Sequence, residues 1–275
     1  MHESIPEFTL TLARQAGDFI LQQRSAMLDG DHRYKDGAEL VTEADVKTDE
    51  FICDVIRAKF PEHNILAEES APDGLTLSQM QEPLWIIDPI DGTVNYAHGH
   101  LQSAVSIAYA ENGQIMCGVV CNPFAQETFH AVKGQGAWLN GKKISVGGQS
   151  DLRRSIVATG FPYVKENMAP IVRRLALVLN ECADIRRLGA ASLDICWVAM
   201  GRLDAYYESL SIWDFAAAQL IAQEAGACYG HFKPVPEGVS PVFHNKDILV
   251  ANSALFEQMK DLLNRASDFD LEQMR

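Results

Sequence analysis

The sequence predicts a layered fold of mixed α+β and α/β type, in which helices and sheets alternate. In the first half, apolar segments at 103–121 are joined by Asn112-Gly113, a dipeptide typical of a tight β-hairpin turn. In the second half, short apolar segments alternate with stretches of helical periodicity, as they do in α/β proteins.

The first predicted element is an amphipathic helix. Ser4 and Glu7 have the spacing of a capping box, and apolar residues follow at helical spacing to about Met27. The next stretch is polar and contains glycines, so we expect a loop there, with Lys35 inside it.

A second helix is predicted to begin after Thr42. Thr42 and Asp45 have the spacing of another helix cap, and an apolar stripe from Ile52 to Phe60 stops at Pro61. Asp45 therefore has two interpretations, because it could be a helix cap or a functional acid.

The later elements are predicted from turn residues and periodicity. Asn140-Gly141 indicates a second hairpin turn, after Trp138. Apolar segments predict strands near 156–159, 185–188, 203–207 and 247–251. Helices are predicted near 165–180, 190–200, 214–226 and 253–263.

Length and charge limit the classes of function. The chain has 275 residues, 47% of them hydrophobic, so we expect a single domain over 1–275. This domain could consist of two subdomains, 1–150 (α+β) and 151–275 (α/β). The net charge of −14 argues against binding nucleic acid or an anionic membrane, because both need a basic face. Neither a signal peptide nor a bilayer-spanning apolar run is evident, so we expect a cytoplasmic protein.

An apolar segment that ends in acidic residues carries the clearest functional signal. Residues 84–93 have the pattern of a buried strand that runs into Asp88, Asp91, Gly92 and Thr93. Gly92 lets the backbone approach a ligand closely. A helix that began near Thr93 would favour a phosphate at its N-terminus.

Two carboxylates held this close need a counter-charge. At about 4 Å they repel by roughly 4 kcal/mol at an effective dielectric constant near 20. A shared proton or a hard cation such as Mg²⁺ would relieve the repulsion. Glu68 and Asp214 also stand at the ends of apolar segments, and four such acids suit two cations better than one proton. The alternative is that Asp88 and Asp91 cap a turn and that Asp214 caps a helix.

These acids lie in three blocks that together resemble one enzyme family. The blocks are Ala-Glu-Glu-Ser at 67–70, Trp-Ile-Ile-Asp-Pro-Ile-Asp-Gly-Thr at 85–93, and Trp-Asp-Phe-Ala-Ala-Ala at 213–218, which continues to Glu-Ala-Gly-Ala at 224–227. A weaker fourth match is Leu-Val-Thr-Glu-Ala-Asp at 40–45. The chain resembles the inositol monophosphatase family of lithium-sensitive, magnesium-dependent phosphatases over nearly its whole length. The resemblance implies a sugar-phosphatase-like sandwich of alternating helix and sheet layers.

The resemblance also implies a role for each matching residue. Two or three Mg²⁺ ions per active site would be bound by Glu68, Asp88, the backbone carbonyl of Ile90, Asp91 and Asp214. The catalytic residues would be Asp45, Glu68 and Thr93, and Thr93 and Asp45 would orient and deprotonate the attacking water. The substrate would be bound by Asp91, Gly92, Thr93, Gly189, Ala190, Ala191 and Glu208.

The implied reaction is Mg²⁺-dependent hydrolysis of a small phosphate monoester by activated water, with inositol-1-phosphate as the leading substrate. Fructose-1,6-bisphosphate, a nucleotide bisphosphate and histidinol phosphate are alternatives within the superfamily. A haloacid-dehalogenase-type phosphatase is a rival with a nucleophilic aspartate, although its D-x-D-G-T motif has fewer residues between the acids than this chain. A regulatory or binding protein on a phosphatase fold is the last alternative. The expected ligand is a phosphorylated sugar or polyol. We expect the protein to bind neither nucleic acid nor membrane, and to form a homodimer.

Overall fold

The computed structural model describes residues 3–26, 32–35, 39–70, 79–166 and 168–266, with the backbone alone for 32–35 and 39–41. The helices in this part of the chain are α1 (Ile5–Ala26), α2 (Glu43–Lys59), α3 (Thr93–His98), α4 (Ala169–Glu181), α5 (Ala191–Ala199), α6 (Ile212–Glu224) and α7 (Ser253–Arg265). None of these helices is long and apolar enough to cross a membrane.

The strands of the described residues form two large sheets and one small one. They are β1 (His32–Lys35), β2 (Glu39–Thr42), β3 (Asn64–Ala67), β4 (Leu84–Asp91), β5 (Ala104–Glu111), β6 (Gln114–Asn122), β7 (Glu127–Val132), β8 (Ala137–Leu139), β9 (Lys142–Ile144), β10 (Ile156–Thr159), β11 (Asp184–Arg186), β12 (Ala205–Glu208), β13 (Cys228–His231) and β14 (Ile248–Ala251).

The first large sheet follows the order of the chain, β3-β4-β5-β6-β7-β8-β9, and only its β3–β4 pair is parallel. The second large sheet has the order β11-β10-β12-β14-β13. In it, β10 pairs in parallel with β11 and β12, whereas β14 pairs antiparallel with β12 and β13. Strands β1 and β2 form a separate antiparallel pair.

Helices and sheets pack in five alternating layers. Helices α1 and α2 cover the outer face of the first sheet, with Leu12 and Ile52 fully buried there. Helices α5 and α6 lie between the two large sheets. Helices α4 and α7 cover the outer face of the second sheet, around Leu255 and Val178. The layered α+β architecture predicted from the sequence is confirmed.

Local sequence signals explain where several elements begin and turn. At the start of α2, Thr42 and Asp45 form the predicted capping box. At the β5–β6 turn, Asn112 and Gly113 have φ angles of 54° and 71°. Both values lie in the left-handed region that a two-residue hairpin requires. These elements were predictable because a few neighbouring residues determine them.

The structure differs from the sequence prediction after α1, at β7 and at β13. The stretch after α1 was predicted as a loop, but it contains the strand pair β1–β2, and Lys35 is the last residue of β1. The side chain of Lys35 lies outside the described residues. Strand β13 was not predicted, because Cys228–His231 mixes polar residues with Gly230 and its residues are only half-buried. Strands β1, β2 and β13 are short and lack the strong alternation that identifies a strand in a sequence.

Candidate active site

A cavity of about 160 Å³ opens where the carboxyl ends of β4 and β12 meet the N-termini of α3, α5 and α6. Every site residue that the sequence predicted lines this cavity, with the exception of Asp45. The residues predicted from sequence that line it are Glu68, Asp88, Ile90, Asp91, Gly92, Thr93, Gly189, Ala190, Ala191, Glu208 and Asp214.

An irregularity at the end of β4 turns two acids towards the same point. Side chains three residues apart in a regular strand point to opposite faces. The pairing of β4 with β5 shifts register between Asp88 and Asp91, however, and both residues line the cavity. A register shift of this kind re-aims side chains, and it occurs often beside active sites.

Gly92, the next residue, has to be a glycine. Its φ angle is 88°, which L side chains rarely adopt, and it caps the N-terminus of α3. A Cβ atom at this position would lie 2.7 Å from the backbone oxygen of Gln102 and 3.1 Å from that of Gly189. The absence of a side chain therefore lets three backbone segments close around the cavity.

Asp91 also caps helix α5, which follows it in the chain by a hundred residues. Its carboxylate accepts hydrogen bonds from the backbone N–H groups of Ala191 (3.1 Å) and Ser192 (2.7 Å), and from the hydroxyl of Ser192. Ala190, at the N-cap position of α5, has no side-chain oxygen to do this. The cap of α5 thus comes from β4, and it fixes the position of the Asp91 carboxylate.

Asp214 and Glu68 complete the acidic group. Asp214 is the third residue of α6, and its carboxylate accepts a hydrogen bond from the N–H of Ser211 at 2.8 Å. The N-cap of α6 is Ser211, so the alternative in which Asp214 is the N-cap is wrong. Glu68 follows β3, where its N–H donates to the carbonyl of Ile87 at 3.2 Å.

Three of these carboxylates form a tight cluster. One oxygen from each of Asp88, Asp91 and Asp214 lies within 4.8 Å of the others. Burial, followed by the repulsion of neighbouring acids, raises the pKa of Asp88, Asp214 and Glu68 well above its usual range. Burial raises the pKa of Asp91 to about 6, opposed by its hydrogen bonds to α5.

This cluster fits a hard divalent cation. The Oδ1 atom of Asp88 is buried without a hydrogen-bond partner among the described residues. The charged groups that shift the pKa of Asp88 are all acids, namely Glu68, Asp91 and Asp214. A buried set of carboxylates whose charged neighbours are also acids is costly unless it is protonated or binds a cation. Carboxylate oxygens are the ligands that Mg²⁺ prefers, so the donor set could bind a metal ion.

Asp45 lies behind the cavity wall and reaches it through Thr93. The Thr93 hydroxyl donates to Oδ1 of Asp45 at 3.0 Å and contacts the carbonyl oxygen of Ile90 at 3.1 Å. The other Asp45 oxygen accepts from the N–H of Thr42 at 2.7 Å. Asp45 is therefore both a helix cap and a hydrogen-bond partner of the site. Burial raises its pKa to about 6, although these hydrogen bonds oppose the shift.

The end of the cavity away from the acidic cluster is built around Glu208. Glu208 is the last residue of β12, and its carboxylate accepts a hydrogen bond from the hydroxyl of Tyr206. Burial raises the pKa of Glu208 to about 7. A Cβ atom on Gly160 would lie 2.1 Å from Oε2 of Glu208, so the glycine makes room for this side chain.

Several residues of the cavity wall were not predicted from the sequence. They include Phe161, Tyr163, Arg187, Asp194 and Tyr206. Two of them had a usable signal, because Tyr206 lies two residues before Glu208 on a strand, and Asp194 lies three residues after Ala191 on a helix. Phe161, Tyr163 and Arg187 lie in connecting segments, where periodicity gives no such guide.

Comparison with known proteins agrees with this architecture. A model of the inositol monophosphatase family matches residues 1–269. The chain is 38% identical over 216 residues to the protein named Nus factor SuhB of Pasteurella multocida, an alignment that covers 78% of this chain and 80% of the relative.

Solved structures give the same result. An IMPase of Thermotoga maritima is similar with a TM-score of 0.82 and 30% identity, over 95% of this chain and 97% of that one. The inositol-monophosphate-bound IMPase-II of Staphylococcus aureus is similar with a TM-score of 0.78 and 28% identity, over 95% and 94% of the two chains. This chain belongs to the inositol monophosphatase family.

Proposed function

We propose that this protein hydrolyses a small phosphate monoester with the help of Mg²⁺. The observation that carries the proposal is the cluster of Asp88, Asp91 and Asp214, whose oxygens lie within 4.8 Å of one another beside an open cavity. Glu68 and the backbone carbonyl of Ile90, which line the same cavity, would complete the metal ligands. Bound Mg²⁺ supplies a water of lowered pKa and neutralises phosphate charge.

Thr93 and Asp45 orient the attacking water and remove its proton in this proposal. The Thr93 oxygen accepts the water proton while its own hydroxyl proton passes to Oδ1 of Asp45, which lies 3.0 Å away. A pKa of about 6 for Asp45 supports this role, because a general base works best when its pKa is near the operating pH. No covalent phosphoenzyme is needed.

Backbone and side-chain groups around the cluster would bind the rest of the substrate. The N–H groups of Gly92 and Thr93 hold phosphate oxygens, because the left-handed backbone at Gly92 leaves this turn open to a ligand. Glu208 binds hydroxyl groups of the substrate, beside the segment from Gly189 to Ala191 that lines the same cavity. This division suits a polyol phosphate, with the phosphate at the acids and the hydroxyls at Glu208.

Inositol-1-phosphate is the substrate we propose first. The support is the family of the chain and its similarity to an S. aureus IMPase-II that is described with bound inositol monophosphate. Fructose-1,6-bisphosphate, nucleotide bisphosphates and histidinol phosphate are the alternative substrates of the same chemistry. We further propose a cytoplasmic homodimer that binds neither nucleic acid nor membrane, in keeping with its net charge of −14.

A regulatory or binding role is the second candidate. It is favoured by the name Nus factor SuhB, which relatives from Pasteurella multocida and Escherichia coli carry. A protein that turns over no phosphomonoester, yet binds a macromolecule through a surface outside the cavity, would support this candidate.

The deciding experiment is a phosphate-release panel. Wild type is assayed with Mg²⁺, and with chelator in excess, on inositol-1-phosphate, fructose-1,6-bisphosphate, a nucleotide bisphosphate and histidinol phosphate. Asp91→Asn is the test variant. Asp54→Asn is its control, because Asp54 lies on the exposed surface of α2, where its ion pair with Arg57 is solvent-accessible.

We expect chelation and Asp91→Asn to abolish turnover, while Asp54→Asn retains it. Full activity of Asp91→Asn or of the chelated enzyme would refute the metal assignment. A trapped aspartyl phosphate on Asp88 would instead support the dehalogenase-type mechanism.

A further inference from the structure

Asp194 is a buried acid that neither the metal cluster nor the helix caps account for. It lies in the first turn of α5, is 1% exposed and lines the active-site cavity. Its Oδ1 atom has no hydrogen-bond partner among the residues that the structure describes. Leaving a buried carboxylate oxygen without a partner costs free energy, because the oxygen has lost its hydrogen bonds to water.

A structural role as a helix cap does not explain Asp194. Acids in the first turn often stabilise a helix by accepting hydrogen bonds from its free N–H groups. In α5 those groups are taken, because the N–H groups of Ala191 and Ser192 donate to Asp91. The N–H of Asp194 itself donates to the carbonyl of Ala190. Asp194 thus carries the cost of burial without performing this local function.

The surroundings of Asp194 are those of a site that binds hydroxyl groups. Asp194 lines the same cavity as Asp91, Glu208 and Arg187. Besides burial, the charges of Asp91 and Glu208 raise the pKa of Asp194, and the charge of Arg187 lowers it. Arg187 lines the same cavity, with its guanidinium 5.6 Å from the centre of the Phe161 ring. A hydroxyl group both donates and accepts hydrogen bonds, so a polyol can use two carboxyl groups and a guanidinium together.

We propose that Asp194 is a specificity-determining residue that binds a hydroxyl group of the substrate, alongside Glu208. This assignment rests on the proposed phosphatase function and narrows its substrate class to polyol monophosphates. A second phosphate at this end of the cavity would face two buried acids, Asp194 and Glu208. The ionised forms of these two acids would repel a second phosphate, so bisphosphates are disfavoured there.

The test compares two substrates that share a scissile phosphate. Inositol-1-phosphate has hydroxyl groups, whereas phenyl phosphate has none. The variants are Asp194→Leu, which replaces the acid with a larger apolar side chain that is branched at the same position, and Asp194→Ala, which removes the acid without adding bulk. The control is Cys196→Ala, because Cys196 is also fully buried in α5 but does not line the cavity.

In both Asp194 variants, we expect kcat/KM for inositol-1-phosphate to fall at least about tenfold relative to that for phenyl phosphate, mainly through KM. The control keeps the wild-type ratio. Asp194→Leu should also melt at the same temperature as wild type or higher, because it removes an unpaired buried acid.

Three results would overturn the assignment. Both variants could keep the wild-type kcat/KM for both substrates, or kcat/KM could fall equally for both substrates, which would indicate a structural role. Wild type could also fail to hydrolyse either substrate with Mg²⁺, which would overturn the proposed function itself and this assignment with it.

A second experiment, with substrate analogues, identifies the substrate hydroxyl that Asp194 contacts. For one monodeoxy analogue of inositol-1-phosphate, kcat/KM in wild type should be about tenfold lower than for inositol-1-phosphate. The same analogue should show no further decrease in the Asp194 variants, because the contact is already absent there. Losses that simply add for every analogue would contradict a direct contact.

Discussion

Asp91 uses its carboxylate for two purposes at once. It accepts hydrogen bonds from two backbone N–H groups and one hydroxyl at the start of α5. It also lies within the cluster that contains Asp88 and Asp214. The hydrogen bonds hold the carboxylate in place and lower its pKa, against the effect of burial. A residue positioned in this way can bind a cation without having to reorganise.

The Thr93 hydroxyl gives the first prediction. Thr93→Val keeps the shape but cannot accept a proton from water or donate to Asp45, so we expect kcat to fall by about 10²-fold to 10⁴-fold. Stability should fall by about 1–3 kcal/mol, because the buried Asp45 oxygen loses its partner. Steady-state kinetics and thermal unfolding measure both effects. Thr93→Ser is the control, since it keeps the hydroxyl, and a Thr93→Val enzyme with wild-type kcat would disprove the relay.

The buried acids give a prediction about pH. In the metal-free protein the pKa values of Asp45 and Asp91 are raised to about 6, and that of Glu208 to about 7. The folded state therefore binds more protons than the unfolded chain, and stability rises as pH falls from 8 towards 5. In the proposed function, Mg²⁺ binds the ionised carboxylates of Asp88, Asp91 and Asp214. The stabilisation that Mg²⁺ provides should therefore shrink over the same pH range.

Thermal unfolding at pH 5, 6, 7 and 8, with Mg²⁺ or with chelator, measures both trends. In chelator the melting temperature should rise by several degrees towards pH 5, before general acid denaturation begins. A Mg²⁺-induced increase that is equal at pH 5 and pH 8 would show that these carboxylates do not bind the ion.

At the scale of elements, the turn between β4 and α3 fixes the geometry of the site. Asp88 and Asp91 belong to the strand, Thr93 begins the helix, and Gly92 between them has a φ angle of 88°. The close backbone oxygens of Gln102 and Gly189 leave no space for a Cβ atom there. Strand, turn and helix therefore present their functional groups as one unit.

A pair of glycine substitutions tests this turn. Gly92→Ala combines a left-handed backbone with a Cβ atom only 2.7 Å from the Gln102 oxygen. Gly134→Ala has a similar φ angle of 77°, but none of the described residues other than its chain neighbours lies within 4 Å of its Cβ atom. The left-handed backbone costs about 1–2 kcal/mol in both variants. The collision is present only in Gly92→Ala, which should therefore be clearly the less stable of the two. Urea unfolding measures the difference. Equal losses would mean that the turn can open without cost, and Gly92→Ala should also lose activity.

At the scale of the whole molecule, the middle layer joins the two halves of the chain. One continuous core contains Ile86 and Phe129 from the first sheet, Tyr206 from the second, and Phe215 from α6 between them. A Cβ atom on Gly118 would lie 2.8 Å from the backbone of Ala217, so α6 packs directly on the first sheet. The active-site cavity lies at the end of this same layer.

We propose on this basis that residues 1–275 unfold as one domain. Urea unfolding of the metal-free protein, followed by circular dichroism and by tryptophan fluorescence, should give coincident single transitions. Gly118→Ala, which overpacks the contact with α6, should lower both midpoints together, by about 1–3 kcal/mol in stability. Two separate transitions would show instead that 1–150 and 151–275 are independent subdomains.

How much of the structure the sequence predicted depends on how far apart in the chain the interacting residues lie. The Asn112-Gly113 turn and the Thr42–Asp45 cap were predicted because each involves a few adjacent residues. The strand pair β1–β2 and the edge strand β13 were missed because their residues lack clear alternation. The ligand set was predicted from acids that end apolar segments and from a family resemblance, which carries long-range information that local patterns lack.

The sequence by itself determined the layered class, the family and the chemical type of the site, because runs of apolar residues that end in acids are local patterns. Only the tertiary structure decided that Asp91 caps a helix a hundred residues away, that Asp45 accepts a hydrogen bond from Thr93, and that an oxygen of Asp194 has no partner among the described residues. Hydrogen bonds and burial depend on which distant segments of the chain are in contact, and the packing of the layers determines those contacts.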